Sequence, residues 1–340
     1  MHKLLELTNK ELEIILENTA VKLNLPKAII EKDMWVCLTL KYLFDKFAYK
    51  DSIVFKGGTS LSKAYKLIER FSEDIDIALD WKVLGYSETE PWQERSNTQQ
   101  LKFNDKLNAD TNKFLESQFL PIMQKDFEVM LKNKKFRLYL DEHNENTICF
   151  DYPKNYQDSS ILQVIKLEIG CLAEPIPFSK QKIKSYIEEV YPNNFAENTE
   201  VVAVDFLRTF FEKITILHRE ANRVNGNYPR RYSRHYYDVF RMIKTEIREM
   251  SFQNLELLKA VINFKKKFYT CNWAKYEEIL SGNLKLVPPQ PGLAEFQKDY
   301  LHMQTMLFGK KVSFAEIIQE IQKYETEINT AIKKYFLVDK

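Results

Sequence analysis

Two aspartates stand one residue apart inside an apolar run, in the stretch RFSEDIDIAL at residues 70–79. Side chains of a strand alternate between its faces. Ile75, Ile77 and Leu79 therefore point into a core, while Asp74 and Asp76 share the opposite face, about 7 Å apart by strand rise. Carboxylates held that close repel each other. They call for a positive group, and Mg2+ binds such carboxylates together with substrate phosphates. The stretch VIKLEIG at 164–170 repeats the pattern, with Ile165, Leu167 and Ile169 on one face and Lys166 and Glu168 on the other. A third acid on a second strand would complete a two-metal site, which stabilises both the attacking and the leaving oxygen in phosphoryl transfer. A salt bridge between Glu168 and Lys166 is the structural alternative.

Gly57-Gly58-Thr59-Ser60 lies between a strand-like Ile53-Val54-Phe55 and a helical pattern from Thr59 to Arg70. Glycines let a phosphate approach the backbone, and a following helix N-terminus offers free N–H groups. Tight turns use glycines too. The order of strand, glycine turn, helix, acid-pair strand and later acid strand is more specific than any one part.

The elements that must carry these groups can be read along the chain. Residues 8–23 have helical spacing, with Thr8 and Glu11 placed as a capping box. A second helix is expected over about 27–48 and a strand over 73–80. Polar residues 85–105 read as loop, followed by a long helix to about 132. FRLYLDE, TICFDY and LQVIKLEIG follow as strand-like runs separated by Asn, Asp and Ser. From residue 203 the apolar period becomes helical. The expected organisation is an α/β-patterned domain over 1–200 and a helical domain over 201–340.

Composition sets outer bounds. The chain has 340 residues, 44% of them hydrophobic, with 23 Phe and 18 Tyr, so it folds and is not a disordered tail. Its 50 basic and 48 acidic residues nearly cancel, so any nucleic-acid affinity must come from a local patch. Cys37, Cys149, Cys171 and Cys271 show no metal-ligand spacing and read as small buried apolar residues. The first residues carry acids throughout, unlike a signal peptide. No run approaches ~18 apolar residues, which argues against a membrane span. A reducing, cytoplasmic setting is the expectation.

In the helical half, Phe206, Phe210, Lys213 and Leu217 fall on one helix face. A lysine in an apolar stripe either snorkels to the rim or meets an anion. In RRYSRHYYDVFRMI, Arg231, Arg234, Asp238 and Arg241 share a face, which is either a solvated set of ion pairs or a site. Arg219, Arg223, Arg230 and His235 lie nearby in sequence, so this is the candidate RNA-backbone patch. Tyr228, Tyr232 and Tyr236 are candidates for base stacking.

The glycine turn, aspartate pair and later acid strand resemble the head of a polymerase-β-type nucleotidyltransferase. FKGGTSLSKAY, RFSEDIDI, KLEIG, FFEKI and RYSRHYYDVF, with IIEKDMWV ahead of them, resemble the AbiEii/AbiGii toxin family over about residues 30–245. The long gap from Gly58 to Asp74 suits that branch, in which an arginine and a serine precede the acid pair. The resemblance implies an α+β fold: a polymerase-β-like nucleotidyltransferase domain with a small mixed sheet, then a C-terminal helical domain, with NTP and Mg2+ in the cleft between. It implies a toxin of a type IV toxin–antitoxin or phage-defence system with a cognate antitoxin. The expected activity is transfer of NMP from NTP to RNA, foremost a tRNA 3′ end. Carried over by residue, Gly57, Gly58, Ser60 and Ser72 would bind NTP, with Asp74 and Asp76 as metal ligands. Glu168 would orient a metal or deprotonate the attacking hydroxyl. Lys213 would grip the triphosphate, Asp238 would orient Lys213 or an incoming hydroxyl, and Arg231 and Arg234 would hold phosphate. The rival expectations are nucleotidylation of a protein acceptor, and a non-catalytic NTP- or RNA-binding module.

Overall fold

A computed structural model of the chain describes residues 2–132, 134–158, 161–172, 176–224, 226–309 and 311–338. Two compact units account for it: residues 1–65 with 72–204, and residues 66–71 with 205–340.

The first unit begins with α1 (His2–Glu6) and α2 (Asn9–Leu23). Thr8 caps α2 in a capping box: its hydroxyl accepts from the Glu11 amide while the Glu11 carboxylate accepts from the Thr8 amide. Asn24 closes the helix in the left-handed region. α3 (Lys27–Asp45) is buried on almost every side, as befits a helix that crosses a core. β1 (Ile53–Lys56) leads directly into α4 (Gly57–Lys63). β2 (Ile75–Leu79) then carries the acid-pair sequence.

α5 (Asn97–Phe114) starts earlier than the polar composition of 85–105 suggests, because Ser96 and Gln99 form a second capping box. A π-helical turn over Leu115–Phe119 joins it to α6 (Leu120–Leu131). Pro121 removes an amide there, which interrupts the regular α ladder.

β3 (Arg137–Leu140), β4 (Thr147–Asp151) and β5 (Ile165–Gly170) match the three strand-like runs. β6 (Phe178–Ile183) and β7 (Thr199–Val204) complete the unit, with the short helices α7 (Tyr186–Val190) and α8 (Pro192–Phe195) between them. The sheet is mixed and seven-stranded, in the order β3-β4-β5-β2-β1-β7-β6. It is therefore larger than the small sheet expected. β6 gave no sequence signal because it is an exposed edge strand bearing two lysines. No strand was expected at β7 either, although Thr-Glu-Val-Val-Ala-Val is rich in β-branched residues.

The second unit is helical: α9 (Phe206–Ala221), α10 (Ser233–Ile243), α11 (Ile247–Gln253), α12 (Leu255–Phe268), α13 (Gln290–Met303) and α14 (Phe314–Lys333). Residues 66–71 join it as an extended strip. Arg70 forms a β-bridge with Leu307, the Phe71 amide donates to Met306 at 2.8 Å, and the Phe308 amide donates to Glu69 at 2.8 Å. The helix expected from Thr59 to Arg70 thus ends at Lys63. Lys66 adopts φ 55°, outside the helical region, and the residues after it pair with 306–308 instead. Among the described residues no helix is long and apolar enough to cross a membrane. All four cysteines are free thiols.

Candidate active site

The open face of the sheet collects charge. In register, Lys56 of β1 stands opposite Asp76 of β2, and Asp76 stands opposite Glu168 of β5. The three side chains form a row across neighbouring strands about 4.8 Å apart, one cation beside two carboxylates. The alternating partners Ile75, Ile77, Leu167 and Ile169 are fully buried on the other face. Asp74 directly precedes β2, and Lys166 lies two residues before Glu168 on the same face. Lys166 Nζ pairs with Asp141 Oδ2 at 2.6 Å. Partial burial would lower the Lys166 pKa, but Asp141, then Cys149 and Asp74, raise it above the ordinary lysine value. The charge of Lys166 is thus engaged by Asp141, the acid that sequence reasoning left out.

The glycine turn is fitted to the acid strand. Gly57 sits at φ 80°, and a Cβ placed there would fall 1.9 Å from Asp76 Oδ2. The carboxylate lies against the bare Cα, so this position needs glycine both for backbone conformation and for space. Thr59, fully buried, donates its hydroxyl to the Asp74 carbonyl, tying the turn to the acid pair. The Ser60 hydroxyl, also buried, donates to the Gly57 carbonyl at 2.9 Å. Its place is within the turn, closing it. Gly58 and Ser72 are half-buried. Gly57→Ala is expected to displace the Asp76 carboxylate and strain the backbone, lowering the unfolding free energy by about 1–3 kcal/mol. A urea midpoint equal to the parent's would show that the turn relaxes instead.

Three consecutive charged residues of α3, Glu31, Lys32 and Asp33, are buried, and each holds a different segment. Glu31 accepts from the Asn155 amide at 2.8 Å and the Tyr156 amide at 3.2 Å. Lys32 donates to Glu73 at 3.0 Å, and the same carboxylate accepts from the Leu162 amide at 3.0 Å. Asp33 pairs with Lys63 at the end of α4 and accepts from the Tyr186 amide at 2.7 Å. Buried charges persist when paired and hydrogen-bonded. Here they fix the residue just before the acid pair and the helix that follows the glycine turn. None of these partnerships could be read from spacing, because the partners lie 30 to 153 residues away.

In the second unit Asp238 is fully buried between two cations. Arg70 donates to both its oxygens, Nε to Oδ1 at 2.7 Å and Nη2 to Oδ2 at 2.8 Å, and Lys213 Nζ reaches Oδ2 at 2.8 Å. Burial alone would raise the Asp238 pKa; Arg70 and Lys213 overcome that and hold it well below the usual carboxylate range. Lys213 is pushed down by burial, held up by Asp238, and pushed down again by Arg70 and Arg234. Asp238 is thus shared by two cations. Burial, then Lys213 and Arg234, drive the His235 pKa well below the ordinary value. Of the two sequence readings of Lys213, the rim lysine is therefore excluded, and its first anion is Asp238. Arg70 carried no assigned role on sequence alone. Its signal was an arginine beside the apolar residues Leu67, Ile68 and Phe71.

The RNA-backbone patch is only partly assembled. Arg231 lies before α10 rather than on its face, at φ 63°, with its amide donating to Asp299 at 2.6 Å. Asp299 also accepts from the Ser233 amide and hydroxyl, so it caps α10. Arg219 and Arg223 both pair with the buried Glu220. Tyr236 is fully buried against Phe296 and Phe314, and Tyr228 packs edge-on against Phe296. Tyr232 accepts from Arg219 at 3.1 Å. Tyr236 is therefore a core residue, and the stacking expectation fails for it.

Among the described residues no three His, Cys, Asp or Glu side chains gather into a metal cage of their own. Mg2+ rarely uses such cages; one or two carboxylates suffice when phosphate and water complete its shell. Asp74 and Asp76, with Glu168 alongside, fit that requirement.

A family model described as nucleotidyl transferase AbiEii toxin, type IV TA system, matches residues 40–320. Two solved structures are similar in part. MenT4, a nucleotidyltransferase toxin from Mycobacterium tuberculosis, is 13% identical with TM-score 0.44, over 94% of this chain and 97% of that one. A candidate nucleotidyltransferase from H. pylori is 16% identical with TM-score 0.44, over 90% and 96%. No curated protein matches the sequence.

Proposed function

Because the chain belongs to the AbiEii nucleotidyl transferase toxin family of type IV toxin–antitoxin systems, we propose that it transfers NMP from an NTP to an RNA hydroxyl, foremost a tRNA 3′ end. The observation that carries this reading is the seating of the Asp76 carboxylate against the Cα of Gly57, in register with Glu168. A phosphate-approachable turn and the acids that serve it are thereby one constructed unit. The acceptor hydroxyl attacks the α-phosphorus, a new P–O bond forms, the bond to the bridging oxygen breaks, and pyrophosphate leaves.

Asp74 and Asp76 would hold Mg2+, which supplies charge stabilisation to the attacking and leaving oxygens. The engagement of Lys166 by Asp141 favours a role for Glu168 on the acid side of this face, orienting the metal or accepting the hydroxyl proton. Gly57 and Gly58 lend backbone amides to phosphate, and Ser60 and Thr59 hold the turn that presents them. Ser72 remains a candidate phosphate donor. Lys213 is assigned the triphosphate on the family resemblance, with Asp238, itself held by Arg70, positioning its ammonium. Arg234 and Arg231 are assigned acceptor phosphates. A cognate antitoxin is implied by the family, and the cytosol supplies both substrates.

The test mixes purified protein with Mg2+, each α-labelled NTP in turn, and total tRNA, beside Asp76→Asn. Label on tRNA only with the intact aspartate is the expected result. Label on protein instead would move the acceptor class. Bound NTP without transfer to either would leave a binding module.

A further inference from the structure

The row of charge across the sheet has a neighbour of opposite character. Along β1, Val54 lies two residues before Lys56, on the same face and about 7 Å away by strand rise. In register it stands opposite Ala78 of β2, and Ala78 stands opposite Gly170 of β5. The row of Val54, Ala78 and Gly170 thus runs beside that of Lys56, Asp76 and Glu168, one step along the same three strands. Its side chains are small or missing, and a Cβ placed at Gly170 would meet nothing within 4 Å. The acid face of the sheet is open there. A cavity of about 580 Å3 stands on this row and is lined by Val54 and Ala78. Trp81, Trp92, Phe178 and Ile176 also line it. Phe178 is 54% exposed and Ile176 60%. Large apolar side chains left open to water around a concavity mark a binding surface. Three aromatic side chains around an apolar floor suit a planar ring.

The charges at the rim decide what the ring belongs to. Asp51, Asp80 and Glu88 line the cavity against one lysine, Lys82. Lys82 already pairs with Asp80 at 3.2 Å. The cavity is therefore acidic and repels a triphosphate, whose proposed place is the glycine turn. The base at the end of an acceptor strand meets no such repulsion. With the base here, the terminal hydroxyl falls toward the acid pair, a reach that one nucleotide spans. Ionised carboxylates only accept hydrogen bonds. Their partners on a base are exocyclic amines, which adenine, cytosine and guanine carry and uracil lacks.

We propose that this cavity seats the terminal nucleobase of the RNA acceptor, stacked against Trp92 and Phe178, with the rim carboxylates of Asp51 and Glu88 accepting from its exocyclic amine. The cavity thereby selects acceptors by their last base. This inference rests on the proposed transfer to RNA, which requires a terminal nucleoside beside the acid pair.

The chain has four tryptophans, so a 15N-labelled sample gives four indole resonances. Single Phe replacements assign them, by elimination where one fails to fold. Short oligoribonucleotides of one sequence, ending in A, C, G or U, are titrated into the protein without NTP. The expected result is movement of the Trp92 resonance with the A, C and G ends. The U end should bind about tenfold more weakly, the scale of one hydrogen bond to a charged group. Phe178→Ala should weaken binding of every strand by about tenfold, the scale of one lost base stack. Asp51→Ala/Glu88→Ala, at two exposed positions, should abolish the preference against U. An unmoved Trp92 resonance, equal affinity for the U end, or unchanged affinity in Phe178→Ala overturns the proposal. So does tetramethylammonium moving Trp92 at the same concentration as the strands, which would mark a cation cage. The transfer assay keeps the two readings apart. Label on tRNA with Trp92 unmoved would leave transfer standing and sink the base pocket. Movement of Trp92 by the expected strands without any transfer would leave the pocket and sink the reaction.

Discussion

An Asp238→Ala protein is expected to lose about 3–5 kcal/mol of stability, because removing one partner leaves buried charge uncompensated. The loss should be at the high end, since Arg70 and Lys213 both lean on this carboxylate. Urea denaturation measures it. Arg70→Met added to Asp238→Ala should recover part of the loss by removing one stranded cation. The pH dependence has a definite sign. The folded pKa of Asp238 is depressed, against burial, by Arg70 and Lys213. Its contribution is therefore complete above the unfolded carboxylate value of about 3.9 and is lost as the pH falls below it. Asp238→Asn should flatten that acid limb. A change under about 1 kcal/mol in Asp238→Ala, the range of an exposed pair, would mean that the cluster is not closed as described.

The second large effect is on chemistry. Asp76→Asn keeps the shape of the side chain and removes its charge. Asp76 lies between Lys56 and Glu168 in register and against Gly57, so its isostere should fold in place. Transfer is expected to fall about 10³-fold, the upper end of the scale for losing one charge-stabilising group. Glu168→Gln should lose less, about 10²-fold, the low end for a proton acceptor. Single-turnover transfer, with the urea midpoint of each variant, separates lost chemistry from lost structure. Transfer by Asp76→Asn within tenfold of the parent would remove this carboxylate from the reaction.

The strand acids were legible because alternation is a local rule: Asp76 and Glu168 fall on one face whatever surrounds them. The capping boxes at Thr8 and Ser96 are local as well, though only the first was read. Failures came where a distant partner overrode local pattern. SLSKAYKLIER has helical spacing throughout, yet tertiary pairing with 306–308 draws its second half straight. Asp141 and Asp299 escaped notice, and Arg70 was read only as preceding the acid pair, because each acts through a residue 25 to 168 positions away. The Glu31-Lys32-Asp33 triplet was quoted for its resemblance but reads by composition as a polar helix face. Only a helix enclosed on all sides turns three adjacent charges into three separate anchors.

The strip at residues 66–71 also bears on how the protein can be divided. Because it joins the second unit, the polypeptide passes from one unit to the other three times, at 65–66, 71–72 and 204–205. A cut after residue 204 would not release an intact first unit. It would leave a fragment with six residues whose bridge to Leu307 and ion pair to Asp238 had gone with the other piece. Those residues form the link between the glycine turn and the acid pair. The two halves are therefore not interchangeable modules. A gene fusion, truncation or domain exchange at the obvious boundary would sever the second unit from the segment that separates the two ends of the candidate active site.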